Sequence, residues 1–242
     1  MHRFAAVVTS VLLLAACYMP SPKSGKTRTM SKQVELGGAE KVVLDINIGV
    51  GELKLAGGSE SLLDARFEYN IPTWKPEVDY EVDEGTGMLD VSQPPSEVAG
   101  AVLNEVRNVW DLKVNDEVPV YLDVDVGVGK SVLDLSNVNL TGYDINVGIG
   151  ELVVDLSGPR QQSLEAEIEG GIGKLEMILP AEIGVRVVVS GGLGKVKATG
   201  LRLADEGHVY VNEAWGTTDI QLDLDVDGGI GEVVLRSAAQ TI

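Results

Sequence analysis

The sequence predicts an all-β protein built as a repetitive stacked solenoid, or β-roll, with about 21–23 residues per coil. Three observations predict it. Apolar and polar residues alternate over most of the chain, which is the period of a strand with one buried face. A Gly-x-Gly corner interrupts that alternation at six centres: Val50, Val128, Ile149, Ile172, Leu193 and Ile230. The four middle centres lie 21, 23 and 21 residues apart. Aromatics make up only 5% of the chain against 29 glycines, a balance that suits thin repeated coils better than one thick core.

The chain begins MHRFAAVVTSVLLLAAC, a short basic start followed by an apolar run. Residues 1–16 read as an export signal, too short to cross a bilayer as a stable helix. The ending Leu14-Ala15-Ala16-Cys17 resembles a bacterial lipobox, which implies lipidation of Cys17 as the first mature residue, and acyl chains there would anchor the protein to a membrane. Cys17 is the sole cysteine, which excludes a disulfide framework and a thiolate metal cluster. Residues 17–34 carry Pro20, Pro22, Gly25 and four basic residues, the composition of a flexible tether. The expected location is the cell envelope, lipid-anchored on the periplasmic or extracellular side. Tyr18, where an Asp would retain the protein at the inner membrane, points to the outer membrane if the host is Gram-negative.

Residues 35–92 form an N-terminal part. Leu44, Ile46, Ile48 and Val50 alternate with polar residues, and after Gly51 the apolar set moves to Leu53 and Leu55. Pro72 and Pro76 exclude a central strand around Trp74. Gly85 to Val91 reads as a degenerate seventh copy. Residues 93–121 break the rhythm and are expected to be an inserted or connecting segment. Val98, Val102, Val106 and Trp110 recur four apart there, as in a short helix or an irregular excursion. Residues 122–242 form the regular β-repeat part. The segments around Pro159 and Pro180 read as turns, and residues 201–218 as a longer excursion.

In this reading each centre belongs to the inward set, and in most copies the next inward residue lies three beyond it. Period two would carry one face straight through, so a step of three requires a corner or bulge. The flanking glycines supply it, by positive φ or by close backbone approach: Gly49, Gly51, Gly127, Gly129, Gly148, Gly150, Gly171, Gly173, Gly192, Gly194, Gly229 and Gly231. One copy cannot bury its own apolar face, whereas stacked copies share a core. Stacking in register would also make a charge ladder of Lys130, Glu151 and Lys174. Acidic charge would gather near Asp123, Asp125, Asp144 and Glu167, read as a solvated face rather than a cation site.

Little catalytic chemistry is visible. A net charge of −18 leaves too few basic residues to neutralise a phosphate backbone, so nucleic acid is excluded as a partner. His208 is the only histidine of the mature chain, and no G-x-S-x-G elbow is present. One histidine without a thiol cluster falls short of a zinc site. Gly127 to Ser131 lacks the spacing of a phosphate loop. Gly170-Gly-Ile-Gly and Gly228-Gly-Ile-Gly lack the aspartate of a calcium-binding β-roll. The reading is therefore a non-enzyme with no cofactor, no metal and no catalytic residue. Two regions are candidate contact surfaces, one at Trp74 and Trp110 and the other at His208 and Trp215. The alternative for both is a tryptophan covering an open end of the coil.

Trp110-Asp-Leu-Lys-Val-Asn-Asp-Glu-Val-Pro119, Leu122-Asp-Val-Asp-Val-Gly-Val-Gly129 and Leu133-Asp-Leu-Ser136 resemble bacterial toast-rack domain proteins, related to the cell-wall-active antibiotic response (LiaF-like) family. Ile48-Gly-Val-Gly-Glu-Leu53 and Phe67-Glu-Tyr69 resemble its N-terminal part. The resemblance covers roughly residues 35–240. It implies a repetitive solenoid-like β fold and carries over no catalytic residues. This chain departs from the family pattern by having a lipoprotein anchor in place of transmembrane helices. The resulting expectation is an envelope lipoprotein serving as a structural or protein- or glycan-interaction scaffold. An envelope stress or antibiotic-response regulator is the alternative, and a polysaccharide-cleaving enzyme a remote one.

Overall fold

The computed structural model describes residues 25–95, 106–205 and 207–238. Cys17, with the lipidation expected there, lies outside them, as do Val98 and Val102. The strands in chain order are β1 (Arg28–Val34), β2 (Lys41–Gly57), β3 (Leu63–Tyr69), β4 (Glu77–Asp83), β5 (Thr86–Ser92), β6 (Asn108–Val114) and β7 (Val120–Asp134). They continue with β8 (Leu140–Asp155), β9 (Leu164–Leu179), β10 (Gly184–Ser190), β11 (Leu193–Thr199), β12 (Arg202–Asp205), β13 (Val209–Val211) and β14 (Gln221–Ser237). A short 3-10 turn, Pro72–Trp74, occupies the proline segment.

The fourteen strands of the described residues all belong to one sheet. Five long strands, β2, β7, β8, β9 and β14, lie side by side and parallel in that order. Each bends at its glycine corner into two arms. Residues 135–139 alone connect β7 to β8, yet β8 begins opposite the first residue of β7. The two ends of β7 must therefore be close, which is the geometry of a closed coil. At one end the next rung is shared by β5, on the first arm of β2, and β6, on its second arm. At the other end β10 and β11 share a rung on β14 in the same way. Antiparallel strands cap the stack: β4 on β5, β3 and β1 on β6, and β13 and β12 on β10.

The stacked coil is thus present as the sequence predicts, and all six corner centres fall in one row. Three details differ. Of residues 93–121, the described residues from Asn108 hold β6 and the start of β7, so Trp110 sits on a strand. The last copy, β14, inserts between β9 and the rung of β10 and β11, so Ile172 and Leu193 are not neighbours although 21 residues separate them. Three of the corner centres do not join the inward set either, and Val50 and Val128 are only half-buried. Ile149, Ile172 and Ile230 are 50%, 52% and 56% exposed. The inward set breaks from Ile48 to Leu53, and the centre rides on the outside of the bend.

Two rows illustrate the core. Ile46, Val124, Ile145, Ile168 and Val226 stack in register on the first arm, and Leu55, Leu133, Val154, Met177 and Leu235 on the second. All ten are buried. Each contributes about 1.5–3 kcal/mol by the usual transfer scale, an upper figure because unfolded chains are partly compact. The N-terminal end is further sealed by Phe67 against Trp110, edge to face at 5.3 Å and 89°. Ser131 occupies the inward position that Leu53 and Leu152 fill in neighbouring rungs, and its buried hydroxyl has no partner among the described residues. Nothing in the structure explains that choice.

Close approach, more than positive φ, is what the corner glycines provide. Of the twelve, only Gly150, Gly173 and Gly192 have φ between +20° and +160°. A Cβ on Gly129 would lie 1.7 Å from the carbonyl oxygen of Gly51, and one on Gly150 would lie 1.7 Å from that of Gly129. From β7 onward each corner therefore rests on the backbone of a neighbouring rung.

Candidate functional site

The outer surface is a set of straight rows, because every rung places equivalent residues in register. On the first arm Asp90, Asp45, Asp123, Asp144, Glu167 and Asp225 follow one another across six strands. Neighbouring strands are about 4.8 Å apart, so the carboxylates repel at short range. Burial, followed by the charges of Asp123, Asp90 and Asp125, raises the Asp45 carboxyl above its ordinary range. Burial, then Asp125 and Asp144, does the same to Asp123. The Tyr121 hydroxyl donates to Asp144 Oδ2 at 2.7 Å. That bond, with partial burial and the surrounding carboxylates, holds the phenol up to about 12.

Nearer the corner, Asn47, Asp125, Asn146, Glu169 and Asp227 form a second row. It borders a groove of ≈ 660 Å³ floored by Gly49, Gly127, Gly148, Gly171 and Gly229. Beyond the groove runs the aliphatic crest of Ile149, Ile172 and Ile230. On the second arm, immediately past the crest, Glu52, Lys130, Glu151, Lys174, Glu232 and Lys195 alternate in sign. The Lys130–Glu151 pair closes at 3.2 Å. Lys174 is in register with Glu151 but pairs instead with Glu176 of its own strand, at 3.0 Å. The Lys130–Glu151 contact is largely exposed and contributes a few tenths of a kcal/mol at most, whereas the Glu176 carboxylate is mostly covered, at 14% exposure. Lys197 reaches Glu232 at 2.5 Å and, more than the other nearby lysines, depresses that carboxyl.

The candidate contact residues separate. Trp110 is fully buried and Trp74 is 2% exposed, so these two side chains belong to the interior and offer no contact surface. The physical reason is local. Trp110 faces inward on β6, where its indole N–H donates to Asn108 Oδ1 at 2.9 Å, and Trp74 closes the turn after β3. His208 is exposed and Trp215 half-buried, both on the excursion between β12 and β14. That excursion is tied down by Asn212. Its side-chain oxygen accepts from Val185 N at 2.9 Å, and its amide donates to Ile183 O at 2.7 Å. Among the described residues no group of three or more His, Cys, Asp or Glu side chains is placed to hold a metal ion. No helix among them is long and apolar enough to cross a membrane.

Sequence reasoning missed the pair that ends the corner ladder. Gln93 Oε1 accepts from Val50 N at 3.3 Å, and Asn108 Nδ2 donates to Val50 O at 2.8 Å, replacing the rung that would otherwise lie beyond β2. The aliphatic crest was also hidden, because alternation alone assigned its residues to the inside.

These features define a parallel β-solenoid with glycine corners, antiparallel caps and long, periodic outer rows. The family model for the N-terminal domain of toast-rack, DUF2154, matches residues 23–178, and the chain belongs to that family. A crystal structure of a candidate cell adhesion protein from Clostridium sporogenes is similar, with 33% identity and a TM-score of 0.83 over 88% of this chain and all of that one. Candidate adhesins from Bacteroides fragilis and Parabacteroides distasonis are more distant, at 10% and 14% identity with TM-scores of 0.22 and 0.29. They cover 91% and 88% of this chain, and 100% and 98% of their own. No curated protein matches the chain.

Proposed function

We propose that the protein is a non-catalytic scaffold exposed at the cell envelope, held there by lipid on Cys17, and that its periodic face is an adhesive surface for an envelope protein or glycan. The observation that carries this reading is the register itself. An acidic residue recurs at one spacing across six strands, so a ligand with a linear repeat meets many equivalent contacts, and weak contacts add through multivalency. The Clostridium sporogenes relative, described as a candidate cell adhesion protein and matched over its whole length, supports it. The acidic rows favour a neutral or basic repeat as the ligand, because an anionic one would be repelled.

The test is retention of purified, bead-coupled protein on isolated bacterial cell walls under flow, beside a monomeric acidic control protein of equal net charge. Retention above the control, without release of reducing sugar ends, is the expected outcome. Equal retention of the control would remove the adhesive reading, and release of reducing ends would replace it with an enzyme.

A further inference from the structure

An apolar cavity of ≈ 110 Å³ lies inside the corner at the C-terminal end of the stack, lined by side chains that include Val147, Ile168, Leu175, Val189, Val226 and Val233. Its origin can be read rung by rung. The inward position two before the corner centre is Ile48, Val126 and Val147 in β2, β7 and β8, all buried. In β9 and β14 the same position in register is Gly170 and Gly228. The backbone does not demand either glycine. A Cβ on Gly170 would meet nothing closer than 3.9 Å, nor would one on Gly228, and neither has a positive φ. The corner glycines beside them, Gly171 and Gly229, would collide at 2.1 and 1.8 Å. Two glycines that the backbone does not require are therefore what keep the space open.

The cavity opens toward β11. In the row three beyond the corner centre, Leu53 and Leu152 are buried, Leu175 and Val233 are half-buried, and Val196 is 36% exposed. The far side of β11 carries no strand among the described residues. From Val147 to Val196 the lining spans four rungs, or three strand spacings of about 4.8 Å, so the space is about 14 Å long and one side chain wide. Lys195 adds to the lining on β11. Its register partner Glu232 is engaged by Lys197, which leaves Lys195 without a close ion-pair partner among the described residues. Glu169, Lys174, Asp227 and Glu232 stand at its rim, while its walls are mostly aliphatic and so favour an apolar guest.

We infer that this cavity is a binding site for an unbranched alkyl chain ending in a carboxylate, with the chain running along the corner and the carboxylate at Lys195. Removal of one side chain from each of two adjacent rungs makes a narrow channel suited to methylene units and too thin for a ring system. Lys195, which shares Glu232 with Lys197 and closes no ion pair of its own among the described residues, selects an anionic terminus at the open end.

The test uses the folded mature protein with decanoate and decanol as probes in isothermal titration. Wild type should bind both, and decanoate more tightly. Gly170→Val/Gly228→Val restores the residue types of the earlier rungs, and should lower decanoate affinity at least tenfold while holding or raising the melting temperature. Gly170→Ala/Gly228→Ala adds only atoms that meet nothing nearby, and should weaken binding severalfold should the valine pair fail to fold. Lys195→Ala should weaken decanoate three- to tenfold and leave decanol unchanged, whereas Lys130→Ala should change neither. No binding by wild type, or equal binding by the folded glycine variants, would overturn the site. Equal losses of decanoate and decanol in Lys195→Ala would overturn the orientation.

Discussion

Gly170 and Gly171 are adjacent in sequence and look alike in composition, yet the structure assigns them opposite responses to alanine. A Cβ on Gly171 would sit 2.1 Å from Gly148 O and 3.1 Å from the carbonyl carbon behind it, all backbone atoms of the preceding rung. Relieving that clash requires the two rungs to separate by roughly 1 Å, which stretches the local ladder bonds beyond the usual 2.7–3.2 Å. Losing two or three of them at about 1 kcal/mol each, with strain added, gives a cost of about 3–5 kcal/mol. A Cβ on Gly170 meets no atom closer than 3.9 Å, so Gly170→Ala should be neutral or stabilise by about 0.4–1 kcal/mol through the unfolded chain. Gly228 and Gly229 repeat the contrast on the next strand, at 3.9 and 1.8 Å. Urea unfolding followed by circular dichroism measures all four variants at constant m. If Gly170→Ala lost as much stability as Gly171→Ala, the close-approach account of the corners would be wrong.

Two further outcomes follow from the surface and the caps. Asp45→Asn removes a charge between Asp90 and Asp123, each worth about 1 kcal/mol of repulsion at about 4.8 Å in a water-like dielectric. Because the folded Asp45 carboxyl is raised above its ordinary value, the native state takes up its proton more readily than the unfolded chain, and wild-type stability from this group falls as pH rises through the carboxylate range. The variant should therefore melt higher than wild type at about pH 7, with a gain that shrinks toward about pH 4 and in about 0.5 M salt. A gain that grows on acidification would contradict the sign. Asn108→Ala removes the donor to Val50 O and leaves the buried Trp110 indole N–H without its acceptor, a loss of about 2–4 kcal/mol. A change below about 0.5 kcal/mol in the same urea assay would show that the end of the corner ladder needs no side-chain cap.

The coil was legible because both of its signals are local. Alternation marks the arms, and paired glycines mark the bends, so Val128, Ile149 and Ile172 could be placed in one row from spacing alone. The facing of those centres was not legible. Phase counting treats a residue between two glycines as part of the preceding strand, while the bend turns it outward. The tryptophans misled for a related reason: Trp110 stands in a segment without glycine punctuation, and only its pairing with β2 and β3 shows that it faces the core. The cavity left a visible trace. Ile48-Gly-Val-Gly and Val147-Gly-Ile-Gly become Gly170-Gly-Ile-Gly and Gly228-Gly-Ile-Gly. In the sequence that change resembles only a defective calcium repeat, since the emptiness of a position shows in three dimensions alone.

The insertion of β14 left a trace in the order of charges. Two residues after each centre the chain reads Glu52, Lys130, Glu151, Lys174, Lys195, Glu232, which places two lysines together in any stack that follows chain order. In the observed order Glu232 lies between Lys174 and Lys195, and every neighbour is of opposite sign. Like charges directly opposite on adjacent strands are destabilising, and opposite ones contribute a few tenths of a kcal/mol each. One ladder is too weak to choose a topology alone. It does act in the same direction as the aliphatic rows, and agreement between levels is what separates one stacking order from its competitors. The double variant Lys195→Glu/Glu232→Lys tests this. With β14 in its native place, the new lysine faces Lys174 and the ladder holds one like pair, whereas a stack in chain order would alternate in sign throughout. A retained fold with slightly lower stability would show that the hydrophobic register, rather than the charges, decides where the last strand enters.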